Sequence, residues 1–209
     1  MAPSNKKRQI IFEARRKAVH VALGIVISFL IYYEFFFLPV WIAVFLLGVA
    51  VSYFLKKGLK VPYLNNFILS FEREKEIKDY PLKGALLFFL GCILSYIIFE
   101  PKVAVFAILT LVVGDTVAAL YGTAFGKIKS PLAPQKNIDA TLVGVFANTT
   151  FAYIFLPFAL WQVFLASLIG LLAESLLPFG RVERGFLGVF FDDNIFLPLI
   201  AGLSLFFLL

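Results

Sequence analysis

Long apolar blocks recur along the whole chain and constrain its fold more than any other feature. A helix that crosses a bilayer needs about 20 largely apolar residues, or about 17 at the short end. Seven blocks approach this length, at 18–37, 39–55, 84–99, 103–121, 141–157, 160–177 and 194–209. Charged residues make up only 15% of the 209 residues, whereas a soluble domain is about a quarter charged. The sequence therefore predicts an all-α, polytopic integral membrane protein in which one transmembrane domain with about seven helices covers residues 1–209.

Lysine and arginine residues predict how these helices are oriented. Six lie before the first block, and seven, three and two lie in the longer polar loops at 56–83, 122–140 and 178–193. With seven spans, these eighteen of nineteen residues share one side of the membrane, and Lys102 lies on the other. The positive-inside rule then places the N-terminus and all three loops in the cytoplasm. This topology and contact with anionic headgroups also explain the net charge of +6, so we expect no nucleic-acid partner.

Polar residues inside the apolar blocks form a second pattern. A carboxylate is costly in hydrocarbon, so such residues are normally paired, water-exposed or functional. Four predicted helices carry polar residues at a similar depth near the cytoplasmic side: His20, Asp115, Glu174, Asp192, Asp193 and Asn194. A relay across the membrane would distribute its acids over both leaflets, so the pattern favours an active site that opens to the cytoplasm. His20 and Asp192 are also explained as interfacial helix caps.

Small residues follow the acid of the fourth block. Gly114, Ala118, Gly122 and Gly126 recur every four residues and form one ribbon along a helix. In lipid, such a ribbon allows a second helix to pack closely. The partner helix can belong to the same chain or to a second copy in a homo-oligomer, and the sequence leaves both possibilities open.

The loop "GKIKSPLAPQKNIDATLVG", residues 126–144, brings basic groups close to an acid and a hydroxyl. These residues are Lys127, Lys129, Lys136, Asp139 and Thr141. Ammonium groups neutralise phosphate oxygens and carboxylates hold magnesium, so the loop favours a polyphosphate with its divalent cation. A solvated basic loop against anionic lipids is the alternative. The loop is not a P-loop, because "GTAFGKI" has one residue too few between its glycines and no Ser or Thr after its lysine.

Four segments in the same order resemble those of a known family. They are "EARRKAVH" at 13–20, "REKEIKDYPLKGALLFFLG" at 73–91, "GDTVAALYGTAFGK" at 114–127 and "FFDDNIFLPLIAG" at 190–202. The chain resembles the CTP-dependent lipid kinases, a family that includes dolichol kinase, phytol kinase and yeast-type diacylglycerol kinase. The central segment is also similar to phosphatidate cytidylyltransferases, but the first and last segments favour the kinases.

One segment departs from the kinase pattern. The family usually has Lys-Ser-x-Glu-Gly-Ser where this chain has "KNIDAT", residues 136–141. Asn137 and Asp139 retain oxygen ligands, although the aspartate is one methylene shorter than glutamate. Ala140 restricts a backbone position that glycine would leave free. The detailed contacts with phosphate and the substrate preference are therefore expected to differ.

The resemblance implies roles for the polar residues. Asp115 and Asp139 are expected to bind Mg2+, and Asp193, Glu174 or His20 is expected to orient or deprotonate a lipid hydroxyl. Expected contacts with the nucleotide and its phosphates are Arg16, Lys17, Arg73, Gly122, Gly126, Lys127, Lys136, Asn137 and Thr141. Expected supporting residues are Glu13, Glu76, Gly114, Asp192 and Asn194.

The implied activity is transfer of the γ-phosphoryl group of CTP to the hydroxyl of a membrane lipid alcohol. The acceptor classes are a polyprenol or dolichol, a phytol-like isoprenoid alcohol and diacylglycerol. Alternatives are a CTP-dependent lipid cytidylyltransferase and a small transporter, although acids confined to one leaflet disfavour transport. We expect a prokaryotic plasma membrane protein, with the endoplasmic reticulum as the alternative, and an active site on the cytoplasmic side.

Overall fold

Helices make up most of the chain that the structure describes. The computed structural model describes residues 3–59, 71, 80–176 and 192–209, with side chains from residue 7 onward. Seven helices lie in these ranges: α1 (Pro3–Tyr32), α2 (Leu38–Lys56), α3 (Lys83–Ile98), α4 (Pro101–Ala124), α5 (Ile138–Phe155), α6 (Leu160–Leu176) and α7 (Asp193–Leu208). Each overlaps one predicted block, which confirms the prediction of an all-helical fold. The seven membrane crossings and the orientation stay predictions, and most of the loops 56–83 and 178–193 lies outside the described residues.

The lengths and surfaces of the helices are those of a membrane protein. The helices α2, α4 and α5 are each long and apolar enough to cross a bilayer, and α3, α6 and α7 are shorter apolar helices. Proline lies in the first turn of α2 and of α4, where the backbone lacks an intrahelical acceptor in any case. Large apolar side chains such as Leu47, Phe146 and Phe207 are exposed, as expected for surfaces that face lipid.

The central helix of the bundle is α4. It contacts α1, α3, α5, α6 and α7, whereas α2 lies at the periphery and packs on α3. Every residue of α4 from Val103 to Val112 is buried. The only acid on α4, Asp115, therefore follows a buried segment directly, on the helix that most other helices contact.

A π-helical turn interrupts α4 immediately before this acid. It spans Thr110–Asp115, with α-helix on both sides. Thr110 accepts a hydrogen bond of 2.9 Å from the side-chain amide of Asn148 on α5, and the same amide donates to Ser167 on α6 at 2.9 Å. Turns of this kind are frequent at functional sites. The hydrogen bonds tie the wide turn to two neighbouring helices.

The ribbon of small residues packs inside the chain. A Cβ atom on Gly144 of α5 would lie 2.5 Å from the carbonyl oxygen of Gly114 and 3.0 Å from the Cβ of Ala118. A Cβ on Gly122 would lie 3.0 Å from Nδ2 of Asn137. The ribbon therefore brings α4 and α5 into close contact, which answers the question that the sequence left open about its partner helix.

A second close approach joins α3 to the start of α7. A Cβ atom on Gly91 would lie 2.0 Å from the backbone carbonyl oxygen of Asn194. Real side chains do not approach a backbone oxygen this closely, so only glycine fits at this position. The contact fixes where α7 begins, and with it the backbone that carries Asp193.

We predict that Gly91→Ala lowers the melting temperature of the detergent-purified protein, because the added methyl group forces α3 and α7 apart. Overpacking of this kind costs about 1–3 kcal/mol. Thermal unfolding followed by fluorescence measures the effect. Gly84→Ala on the same helix is the matched control, since a Cβ there meets no atom within 4 Å. An unchanged melting temperature for Gly91→Ala would contradict the close contact.

Candidate functional site

A cavity of about 580 Å3 lies at the end of the bundle where α4 ends. Its wall is formed by α1, the start of α3, the second half of α4, the loop 125–137, the first turn of α5, the end of α6 and the start of α7. The volume lies within the range of about 300–1,000 Å3 that is typical of small-molecule sites. Polar groups from all of these elements therefore converge on one space.

The first group of charges at the cavity is an ion pair between α1 and α4. The ammonium group of Lys17 donates to the carboxylate of Asp115, and both side chains are largely buried. Lys17 is 6% exposed. Removing one partner of such a pair would leave an unpaired charge in a poorly solvated place. The pairing explains how Asp115 is accommodated at this depth.

The second group is a lysine held by two carboxylates. Nζ of Lys136, in the loop between α4 and α5, donates to Glu174 on α6 and to Asp193 on α7, the latter at 2.8 Å. Burial alone would lower the pKa of Lys136, but these two carboxylates raise it above its ordinary value. The lysine is therefore charged, and it joins the loop to two helices.

Asp192 and Asn194 form the start of α7. Oδ1 of Asp192 accepts hydrogen bonds from the backbone N–H of Asn194 at 3.0 Å and from its side-chain amide at 2.8 Å. This is an N-cap, which satisfies a donor that the helix itself cannot. Burial raises the pKa of Asp192, although the bonds from Asn194 act in the opposite direction. Both residues line the cavity and position Asp193 between them.

Residues of α1 complete this wall. The guanidinium of Arg16 donates to Glu13 at 2.8 and 3.1 Å, so the glutamate orients the arginine. His20 lies one turn further along, with its ring centroid 4.9 Å from that of Phe88. All three cavity-lining side chains come from the predicted entry segment. Arg73, an expected phosphate contact, and Glu76, an expected supporting residue, lie outside the described residues.

Asp139 has a different environment from Asp115. Its carboxylate accepts hydrogen bonds from the backbone N–H groups of Lys127 at 2.8 Å and Ile128 at 3.4 Å. Neither Asp139 nor Lys127 is among the residues that line the cavity, and the side chain of Lys127 is exposed. The structure thus uses Asp139 to hold the loop, and its role as a ligand of Mg2+ stays a prediction.

Asn137 and Thr141 lie where the loop joins α5, and both line the cavity. The amide of Asn137 fills the space that Gly122 and Gly126 leave open, since a Cβ on Gly126 would lie 2.5 Å from its Nδ2. Thr141 donates to the carbonyl oxygen of Asn137 at 3.0 Å. Gly122 lines the cavity, whereas Gly114 is buried against Leu171 and Gly126 packs on Asn137.

Two lysines for which the sequence predicts no individual contact also line the cavity. They are Lys83, the first residue of α3, and Lys129, two residues after Lys127. Lys83 belongs to the loop 56–83 in the sequence, and nothing there indicates that α3 begins beside α7. Lys129 belongs to the loop whose basic groups favour a polyphosphate, but the direction of its side chain depends on how the loop folds.

The described wall carries equal numbers of cationic and anionic side chains. The cationic ones are Arg16, Lys17, Lys83, Lys129 and Lys136, and the anionic ones are Glu13, Asp115, Glu174, Asp192 and Asp193. A polyanion that enters alone therefore meets little net attraction. A polyanion accompanied by a divalent cation would satisfy both kinds of side chain.

The carboxylates do not form a metal cage by themselves. Within the described part of the chain, no group of three or more His, Cys, Asp or Glu side chains is arranged to hold a metal ion. Mg2+ is usually bound by only one or two carboxylates together with substrate phosphates and water. Asp115, the carboxylate of α4 at the base of the cavity, fits that donor set.

Comparison with known proteins identifies relatives of the chain. It is 28% identical over 193 residues to an uncharacterized protein of Methanocaldococcus jannaschii, with 91% of each chain covered. It is 24% identical over 155 residues to CTP-dependent diacylglycerol kinase 1 of Schizosaccharomyces pombe, and this alignment covers 69% of this chain and 68% of the relative. It is 27% identical over 205 residues to probable phytol kinase 2, chloroplastic, of Oryza sativa subsp. japonica, and this alignment covers 92% of this chain and 66% of the relative. The resemblance to CTP-dependent lipid kinases is confirmed.

These relatives support a lipid kinase activity at the level of the family. The names of the two kinases specify different lipids, so they do not define the acceptor of this chain. No family model matches the chain. No solved structure matches it either.

We predict that Lys136→Met destabilises the protein, because Glu174 and Asp193 would be left without their shared cation. Breaking a buried ion pair in this way costs about 3–5 kcal/mol. The double variant Lys136→Met with Glu174→Gln should recover part of that loss, because the second change removes a charge that has become unpaired. Thermal unfolding of the two single variants and the double variant measures the coupling. Strictly additive losses would contradict the ion pair.

Proposed function

We propose that this protein transfers the γ-phosphoryl group of CTP to the hydroxyl of a membrane lipid alcohol. The observation that carries the proposal is the meeting of carboxylates from α4, α6 and α7 with lysines from α1 and the loop 125–137 in one cavity. Phosphoryl transfer depends mainly on positioning and on neutralising the charge of the phosphates. A site with charges of both signs on rigid helices meets these two requirements.

Lys17 and Lys136 are proposed to contact the triphosphate. Each is held by carboxylates in the structure, and phosphate oxygens would take the place of these carboxylates. Arg16 is proposed as a further contact, oriented by Glu13. Asn137, Thr141 and Gly122 line the same space and are proposed to shape it around the nucleotide.

Asp115 is proposed to hold the Mg2+ ion that accompanies the nucleotide. When bound, the ion would neutralise charge on the phosphate oxygens. The carboxylate is presented by the most enclosed helix of the bundle and lies against Lys17. An aspartate in this position is available to a hard cation once the lysine turns to phosphate.

Asp193 is proposed to orient and deprotonate the lipid hydroxyl. Its side chain is 39% exposed, whereas that of Glu174 is 6% exposed, so Asp193 is the more accessible of the two acids that hold Lys136. The hydroxyl oxygen would form a bond to the γ-phosphorus while the bond from this phosphorus to the β–γ bridging oxygen breaks. The hydroxyl proton passes to the carboxylate, and CDP leaves.

The acceptor is proposed to be a polyprenol, a phytol-like alcohol or diacylglycerol, and the names of two relatives specify the last two of these classes. The cavity lies at the end of the bundle and the helices beside it expose apolar surface, so a headgroup can enter while its chain stays in lipid. We propose a membrane location with the site on the cytoplasmic side, as the distribution of lysine and arginine predicts.

We predict that the purified protein converts radiolabelled CTP to CDP in the presence of Mg2+ and a lipid alcohol, and that Asp115→Asn reduces turnover about a hundredfold or more. Thin-layer chromatography of nucleotides and lipids measures both products. ATP in place of CTP tests the choice of donor, and each acceptor class is supplied separately.

The products also test the alternatives. Release of pyrophosphate with a CMP-linked lipid would show a cytidylyltransferase instead of a kinase. Wild-type turnover in Asp115→Asn, with the protein folded in detergent, would contradict the central role of this acid.

A further inference from the structure

Two cationic side chains of the cavity are free of the ion pairs that hold the other three. Lys83 and Lys129 line the cavity, and neither forms an ion pair with any residue that the structure describes. Asp192 attracts Lys83 electrostatically, but its Oδ1 atom is occupied by Asn194. A ligand can therefore engage these two ammonium groups without first breaking an internal pair.

The remaining cavity cations lack this freedom. Arg16 is held by Glu13, Lys17 by Asp115, and Lys136 by two carboxylates. Binding of a phosphate to any of them exchanges one ionic partner for another, and the displaced carboxylate must then be satisfied elsewhere. Net attraction for an incoming anion consequently depends on the two unpaired lysines.

Lys129 lies nearer to solvent than the paired cations. Lys129 is exposed, Lys83 is partly exposed like Arg16 and Lys136, and Lys17 is buried. Charges near the mouth of a cavity act on an anion before it reaches the base. An anionic ligand that enters from water therefore meets the exposed Lys129 before it reaches the buried Lys17, and Lys83 offers it a second unpaired ammonium group.

The backbone around Lys129 is well anchored. Lys129 and Asn137 form an antiparallel β-bridge, with Ser130 N–H donating to the carbonyl oxygen of Lys136 at 3.0 Å. The hydroxyl of Ser130 donates to the carbonyl oxygen of Ser175 on α6 at 2.6 Å. These contacts attach the loop to the helix that carries Glu174. Lys129 thus lines the cavity from a fixed backbone, whereas Lys127 is not among the lining residues.

We propose that Lys83 and Lys129 form the entry contact for the polyphosphate group of the donor nucleotide and determine its affinity. The proposal rests on the proposed function, because it names residues that recognise the donor of that reaction. Ammonium groups bind phosphate oxygens through charge-assisted hydrogen bonds. The chemical step itself uses the paired residues at the base, so the two lysines act on KM more than on kcat.

The experiment uses the full chain purified in detergent and two measurements. The first is calorimetric titration with inorganic tripolyphosphate in the presence of Mg2+, which needs no lipid and no turnover. The second is the dependence of the rate on the concentration of CTP. Each is applied to Lys83→Met and Lys129→Met, to the corresponding arginine variants, and to Lys102→Met, whose lysine is exposed at the opposite end of α4.

Each methionine variant should weaken the binding of tripolyphosphate about tenfold and raise the KM for CTP about tenfold. The kcat should stay within about twofold of the wild-type value. The arginine variants should retain most of the affinity because the charge is kept. Lys102→Met should bind as wild type does. Melting temperatures close to that of wild type would show that the methionine variants are folded.

The outcomes separate this proposal from the proposed function. Wild-type affinity in both methionine variants, or no binding of tripolyphosphate to the wild type, would overturn the entry contact even if CTP is turned over. A wild type that binds tripolyphosphate through these lysines but phosphorylates no lipid alcohol would overturn the kinase activity and leave the anion site standing. An equal loss of tripolyphosphate affinity in the arginine variants would show that binding needs the shape of the lysine side chain and not its charge. This result would also overturn the proposal.

Discussion

Mutual neutralisation of buried charges is the constraint on which the candidate site depends. Asp115 can lie at the base of the cavity because Lys17 lies against it, and Glu174 can lie there because Lys136 does. These two lysines connect α1 to α4 and the loop 125–137 to α6 and α7. Charges that would each be costly alone thus determine which elements meet at this end of the bundle.

The same pairing bears on how the proposed function could operate at this site. The carboxylates and ammonium groups satisfy one another, so the helices are not pushed apart by repulsion. In the proposed function, a nucleotide with its divalent cation would bring the same two kinds of charge in a different arrangement. The exchange would then cost less than the burial of new charges, because each displaced group would find a counterpart on the ligand.

Helix positions and the identity of the deep acids were predictable from the sequence, because both depend on local patterns. Apolar length defines the helices, and an isolated acid such as Asp115 stands out inside an apolar block. The contacts of the loop were not predictable in the same way. Asp139 and Lys127 have the residue types that suit a metal and phosphate, yet one caps the backbone of the other. Lys83 lines the cavity beside the start of α7, and the close approach of α7 to α3 at Gly91 is a long-range contact that the sequence does not indicate.

The π-helical turn of α4 was also beyond the reach of the sequence, since residues 110–115 read as ordinary apolar helix. The turn determines how the second half of α4 is rotated about the helix axis. A wide turn holds one extra residue, and each residue of α-helix advances the chain by roughly 100° around the axis. If this turn were regular α-helix, every following side chain would be rotated about the axis by that angle. The carboxylate of Asp115 and the glycines that pack against α5 could then not both contact their present partners. The bulge therefore sets the rotation of α4 at which Asp115 meets Lys17 at the cavity while the glycines pack against α5.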